Sequence, residues 1–324
     1  MKKLLAALCL PVMGLCASCE KEVTIEDGEE SGKLVVYCIP SNAKDTTFVQ
    51  LLWSRALNGN AKTDRMIDRA EVAFRINGME KGAGYAGLLP GRGHKNSFYV
   101  VEKLKEGDEI EVKVQFPGLP VVTARTSIPS CFPLEHVEGT RLNVCGYQAV
   151  RFRITLRDCA KAENYYGIRV LRKRVLSEGV SIGLPDSVVK PLILNVDHEP
   201  LMNDKLGVDD VFDLSNDFYQ QLYIYDDHQI NGKTYTLSLD CFERNTGMEQ
   251  SVDEKVYYKV VLFTFSSDLY KYLKSVNALN NNDLGKAGLA PIYKRYTNVV
   301  NGIGIAGGCN LQETDWMEAA AFCR

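Results

Sequence analysis

Ile110-Glu111-Val112-Lys113-Val114-Gln115-Phe116 carries the clearest structural signal in this chain. Its apolar residues fall at every second position, with Glu111, Lys113 and Gln115 between them. Successive side chains of a β-strand point to opposite faces, so this stretch buries one face and wets the other. Pro117-Gly118 then turns the chain, Val121 to Ile128 reads as the return strand, and Pro129 stops it. Pro120 cannot begin a central strand because it lacks the backbone donor.

The same grammar extends upstream. Leu34 to Ile39 is a continuous apolar run, suited to a strand buried on both faces. Thr46 to Trp53 and Ser97 to Val101 are rich in β-branched and aromatic residues. Ala70, Val72, Phe74 and Ile76 alternate with polar or small neighbours, and Asn77-Gly78 signals a hairpin turn. Short strands at this density over residues 33–129 predict an immunoglobulin-like β-sandwich.

Downstream the pattern stays β. Val150, Phe152, Ile154 and Leu156 alternate with Arg151, Arg153, Thr155 and Arg157. Further strands are expected over Tyr166–Val170, Leu192–Val196, Leu222–Tyr225, Thr234–Leu239 and Val256–Phe265, the last of them central because it is apolar on both faces. One helix is expected over 267–279, where Leu269, Leu273 and Val276 repeat at helical spacing behind a Ser267 cap and Asp268. The fold class is all-β: an N-terminal immunoglobulin-like sandwich, then a β-rich C-terminal domain over 130–324 with one short helix.

The first thirty residues say where such a protein works. Lys2 and Lys3 precede an apolar run from Leu4 to Leu15, and small residues lead to Cys19. This is the layout of a secretory signal, and the run is shorter than the ~20 apolar residues of a membrane span. Cys16-Ala17-Ser18-Cys19 resembles a bacterial lipobox, which makes residues 1–18 the signal peptide and Cys19 the site of lipid attachment. Cys16 stands where that motif usually has Leu. Residues 19–32, crowded with Glu20, Glu22, Glu26, Asp27, Glu29 and Glu30, read as an acidic tether. Acidic residues after the lipidated cysteine also resemble a surface-export signal, which implies an outer-membrane lipoprotein facing outward.

Charge and cysteine usage narrow the partners. The chain of 324 residues carries a net charge of −3, and nothing in it resembles a nucleic-acid-binding stripe. Its densest basic run, Arg169, Arg172, Lys173 and Arg174, falls in or beside a predicted strand and reads as a solvated strand face. Of ten cysteines, Cys38, Cys131, Cys145, Cys159, Cys241, Cys309 and Cys323 follow Cys19. An oxidising compartment allows disulfides, and Cys145 with Cys159 and Cys309 with Cys323 are spaced for local bridges. The alternative is that they are small buried hydrophobes.

No motif points to catalysis. Gly82 to Gly87 and Gly302 to Gly307 both match G-x-G-x-x-G, yet neither opens a helix that would hold a phosphate, so both read as β-bends or loops. The acidic loop from Asp197 to Asp217 lacks EF-hand spacing and reads as solvated, with a calcium site as the lesser alternative. His94, His136, His198 and His228 lack zinc-protease spacing, and Asp226-Asp227-His228 reads as surface rather than an acid–base pair. No cofactor or metal is expected. Among 16 tyrosines, Tyr219, Tyr223 and Tyr225 beside the acidic loop are the candidate ligand contacts.

Several segments taken in order resemble one family. They are Ser18 to Glu22 before Lys33-Leu34-Val35-Val36, Ala70-Glu71-Val72, Thr123-Ala124 before Ile128-Pro129, Asp226-Asp227 before Asn231 to Tyr235, Ser266 to Leu273, and Asn301 to Gly308. The set is similar to the Bacteroidetes lipoproteins grouped as domain of unknown function 4249. That resemblance implies an outer-membrane lipoprotein, often encoded beside a TonB-dependent receptor, and supplies no catalytic residues. The expected function is a non-enzymatic binding or accessory component of TonB-dependent nutrient uptake. An adhesion or structural envelope protein is the alternative, and a hydrolase with carboxylates assembled in space comes third.

Overall fold

The computed structural model describes residues 32–54, 67–88, 96–130, 134–144, 146–160, 162–176, 187–202, 218–242, 254–282 and 294–322. The expected signal peptide, Cys19, nearly all of the expected tether and most of the acidic loop lie outside these residues. Among the described residues no helix is long and apolar enough to cross a membrane.

The first sandwich packs a five-stranded sheet on a four-stranded one. The four-stranded sheet runs β4-β3-β7-β8, from β3 (Glu71–Ile76), β4 (Met79–Lys81), β7 (Glu109–Gln115) and β8 (Val122–Ser127). Asn77 and Gly78 both have positive φ, 51° and 79°, which the tight β3–β4 hairpin needs. Ile110, Val112 and Val114 are buried, and Glu111 points out to bridge Arg75 and Arg125. Those guanidiniums hold the Glu111 carboxyl below its ordinary range, the Arg125 hydrogen bond most of all.

The facing sheet contains β1 (Leu34–Cys38), β2 (Thr46–Trp53), β5 (Gly84–Tyr85), β6 (Ser97–Val101) and a strand from the far end of the chain, β16 (Ile303–Ala306). β16 lies parallel to β1, with Val36 opposite Gly304. The segment 33–129 is therefore not self-contained: Val299 and Ala306 belong to its core. Local sequence pattern cannot reveal a pairing across more than 250 residues, which is why the boundary expected at 129/130 does not follow the sheets.

The second sandwich sets three strands, β9 (Leu134–Val144), β10 (Tyr147–Arg157) and β14 (Thr234–Phe242), against a six-stranded sheet. That sheet is built on β11 (Tyr165–Leu176) and β15 (Glu254–Phe265), flanked by β12 (Ser187–Pro191), β13 (Tyr223–Asp226), β17 (Cys309–Glu313) and β18 (Met317–Glu318). Phe152, Ile154, Leu156, Tyr166, Ile168, Val260 and Leu237 meet between the layers, all fully buried. β15 is central as expected, pairing with β11 on one side and with β17 and β18 on the other. The strand expected over Leu192–Val196 is absent. Only an isolated bridge joins Asn195 to Asp240, and the neighbouring strand is β12, five residues earlier.

Helix α1 spans Ser267–Asn280. Its cap is Ser266, one residue before the expected Ser267, and the Ser266 hydroxyl accepts from Leu269 N–H. Leu269, Tyr270 and Leu273 pack with Phe265 and Ile224 of the second sandwich and with Ile305 of β16. The helix thus joins the two cores.

Candidate functional site

In β11, Tyr166, Ile168 and Val170 point into the second core. Period two then sends Arg169, Leu171 and Lys173 to the opposite, outer face of the sheet. On β15, Tyr257, Lys259 and Phe263 share that face, with Lys259 opposite Leu171 and Tyr257 opposite Lys173. Between β17 and β18, Trp316 completes the group. The Lys173 ammonium lies 5.6 Å from the Trp316 ring centre and 6.0 Å from that of Tyr257. Lys259 lies 5.1 Å from Trp316, and Arg169 lies 5.8 Å from Phe263. The result is a face of cations set over aromatic rings.

These charges are unevenly compensated. Lys259 pairs with Glu313 at 2.7 Å. Arg169 donates to the Gln220 carbonyl at 3.1 Å, while its Nε is buried without a hydrogen-bond partner among the described residues. Burial lowers the Arg169 pKa, the mark of a cation that is poorly solvated where it sits. Glu313 also lines a cleft of about 610 Å³ with Glu135, His136, Gln312, Thr314 and Met317, open between the β9 and β17 edges.

The tyrosines named from sequence separate. Tyr219 is exposed on a 3-10 turn. Tyr223 and Tyr225 are core residues, 4% and 1% exposed, so ligand contact by that group reduces to Tyr219. The Tyr223 hydroxyl accepts from Leu194 N–H. β13 is covered on one side by β11 and carries alternate side chains into the core, which its apolar composition alone could not distinguish from a rim strand.

Asp226-Asp227-His228 forms a turn whose two carboxylates are hydrogen-bonded internally. Asp226 accepts from the Tyr270 hydroxyl, and Asp227 accepts from the backbone and side-chain amides of Asn164. Burial, and then the nearby Asp158 and Asp226 charges, raises the Asp227 pKa against the lowering effect of those bonds. Asp158 accepts from Tyr166, Asn164 and the Gly232 N–H, so the Asn231-Gly232 turn is tied to the end of β10. Glu199, the buried start of the acidic loop, accepts from Tyr235 and from Ser238 N–H. Asp197 bonds Asn195; the loop from 203 to 217, with its calcium alternative, lies outside the described residues. Among the described residues no group of three acidic, histidine or cysteine side chains is placed to hold a metal ion.

The glycine motifs serve chain packing. Gly304 sits at φ 115° against β1, where an added Cβ would lie 2.0 Å from the Val36 carbonyl oxygen. At Gly308 it would lie 1.8 Å from the Ser127 oxygen. The first match, Gly82 to Gly87, runs through β5 into a 3-10 turn. Of the cysteines, Cys159 and Cys309 are free thiols, and Cys145 and Cys323, their expected partners, lie outside the described residues. Cys38 and Cys309 are buried, and burial pushes both thiols up to about 12.

Sequence reading passed over Trp316, Tyr257 and Lys259. Arg169 and Lys173, expected on a solvated strand face, are only partly exposed and sit over neighbouring rings. The available signal was the cross-strand alternation of cation and aromatic, which needs the β11–β15 register to be seen.

A family model described as domain of unknown function (DUF4249) matches residues 20–315. No curated protein matches the chain. Among solved structures, the Enterococcus faecalis MSCRAMM ACE, described as binding its ligands by the collagen hug model, is 8% identical. The alignment covers 89% of this chain and 94% of that one at a TM-score of 0.22, a likeness too weak to carry any argument.

Proposed function

The chain belongs to the family described as domain of unknown function DUF4249, and from that premise we propose that it is a surface-exposed Bacteroidetes outer-membrane lipoprotein acting as a non-enzymatic binding component of TonB-dependent nutrient uptake. The observation that carries the reading is Cys16-Ala17-Ser18-Cys19 behind a short basic and apolar leader. Acylation of Cys19 would anchor the chain, since each buried acyl methylene contributes about 0.8 kcal/mol and several chains hold stably. The acidic residues from Glu20 to Glu30 resemble a surface-export signal, which supports the outward placement. The outer face of the six-stranded sheet supports a binding role, because it gathers cations and aromatic rings, groups suited to ligand contact by charge and stacking. The test of this placement is fatty-acid labelling of the wild type and of Cys19→Ala, with protease shaving of intact cells. Labelling that vanishes in Cys19→Ala and loss of the protein on shaving support the reading. Continued labelling, or full protection from protease, overturns it.

A further inference from the structure

We propose that the outer face of the six-stranded sheet is a binding site for an anionic saccharide, a sugar chain bearing carboxylate or sulfate groups. The inference rests on the reading of the chain as a binding component and names its ligand class.

Cations over rings are commonly plain surface struts, each contributing a little to stability. Three features here go further. The cations are three on one face: Arg169 and Lys173 stand four residues apart on β11, about 13 Å at strand rise, with Lys259 between them on β15. Only Lys259 has a carboxylate against it among the described residues, namely Glu313. Arg169 is partly buried and its exposed Nη2 donates only to the neutral Gln220 carbonyl, so among the described residues its charge has no carboxylate against it, and an incoming anion would supply one.

The rings choose the class of anion. Lys173 reaches both Tyr257 and Trp316, so a group drawn to that ammonium arrives beside an indole and a phenol. A sugar ring has a flat C–H face that lies on an aromatic ring, with its carboxylate or sulfate projecting from the rim. That pairing of an aromatic platform with spaced cations matches an acidic saccharide at successive units. An acidic peptide would use the cations and gain little from the rings.

The experiment is calorimetric titration of the mature full-length chain with polygalacturonate, dextran sulfate, neutral dextran and polyglutamate, at low and high salt. Binding of at least one acidic polysaccharide, weakened by salt and absent for neutral dextran, is expected. Which of the two binds separates carboxylate from sulfate. Lys173→Met and Arg169→Met, each checked for unchanged melting temperature, should weaken that binding about tenfold. Trp316→Ala should weaken the polysaccharide and leave any polyglutamate binding as it was. Absence of binding to both acidic polysaccharides overturns the proposal. So does equal affinity for polyglutamate, or full affinity in both methionine variants. Fatty-acid labelling and surface shaving are read separately, so a failed titration on a surface-anchored protein removes the ligand class and leaves the uptake reading in place.

Discussion

Replacing Gly304 by alanine tests whether the long-range closure of the first sandwich is understood. Gly304 has φ 115°, a region that L residues rarely enter, and its Cβ would sit 2.0 Å from the Val36 oxygen, an atom of the β1 backbone. Backbone cannot rotate away as a flexible side chain would. Relief would require β16 to move off β1, breaking the pairing from Val35–Ile303 to Cys38–Ala306. A forced residue in such a region costs of order 1–3 kcal/mol, and the lost contacts add to it, so about 3 kcal/mol or more is expected. At about 2–4 °C per kcal/mol for a domain of 150–250 residues, the melting temperature should fall by roughly 6–12 °C. Gly82→Ala is the matched control, because nothing lies within 4 Å of its added Cβ and its φ is ordinary. Thermal melts by circular dichroism compare the three proteins, with and without ATP or NAD. A Gly304→Ala melt within 1–2 °C of wild type, a range below the roughly 2–4 °C that 1 kcal/mol should cost, would show that β16 does not close against β1 as tightly as described. Nucleotide stabilisation of the wild type would refute the packing account of the motif.

Other expectations follow from the same structure. Phe152→Ala empties a fully buried site edge-on to the Tyr258 and Phe322 rings and should cost about 3–5 kcal/mol, read by urea denaturation. Arg151→Met strips the bidentate partner from the largely buried Asp240 carboxylate and should cost about 1–3 kcal/mol by the same assay. Asp227 has a folded pKa above its unfolded value, so the native state holds the extra proton and stability falls as pH rises from about 4 through the folded pKa. Melts at stepped pH should show Asp227→Asn flatter than wild type across that window, whereas a wild type that loses stability relative to the variant as pH falls would contradict the sign. Cys38 and Cys309, with thiols pushed up to about 12, should resist iodoacetamide in the native protein and react after unfolding, as peptide mapping would record.

Local pattern carried much of this architecture. The alternation around Val112, the run from Thr46 to Trp53 and the Asn77-Gly78 turn each found their element because period and turn chemistry act over a few residues. Helix α1 was readable from Leu269, Leu273 and Val276 for the same reason. β16 was not, since its Gly304 answers to the Val36 carbonyl, far away in sequence. The candidate binding face lies between these cases. Arg169 and Lys173 were visible as charges, but their meaning depends on Tyr257 and Trp316, brought there by strand pairing and by the bend before β18. Tyr223 and Tyr225 escape the sequence for the converse reason: a strand covered by its neighbours can place a tyrosine ring in the core and give its hydroxyl an internal donor, as Leu194 N–H gives Tyr223, or no partner among the described residues, as at Tyr225.

We propose above that this chain serves uptake as a lipid-anchored component of the envelope. The most direct measurement is a mild-detergent pull-down of the tagged, natively acylated protein from its own envelope, with the companions identified by mass spectrometry. A TonB-dependent receptor in near-stoichiometric amount is the expected companion. A protein that comes down alone, from membranes where such receptors are abundant, would contradict it and bring the adhesion reading forward.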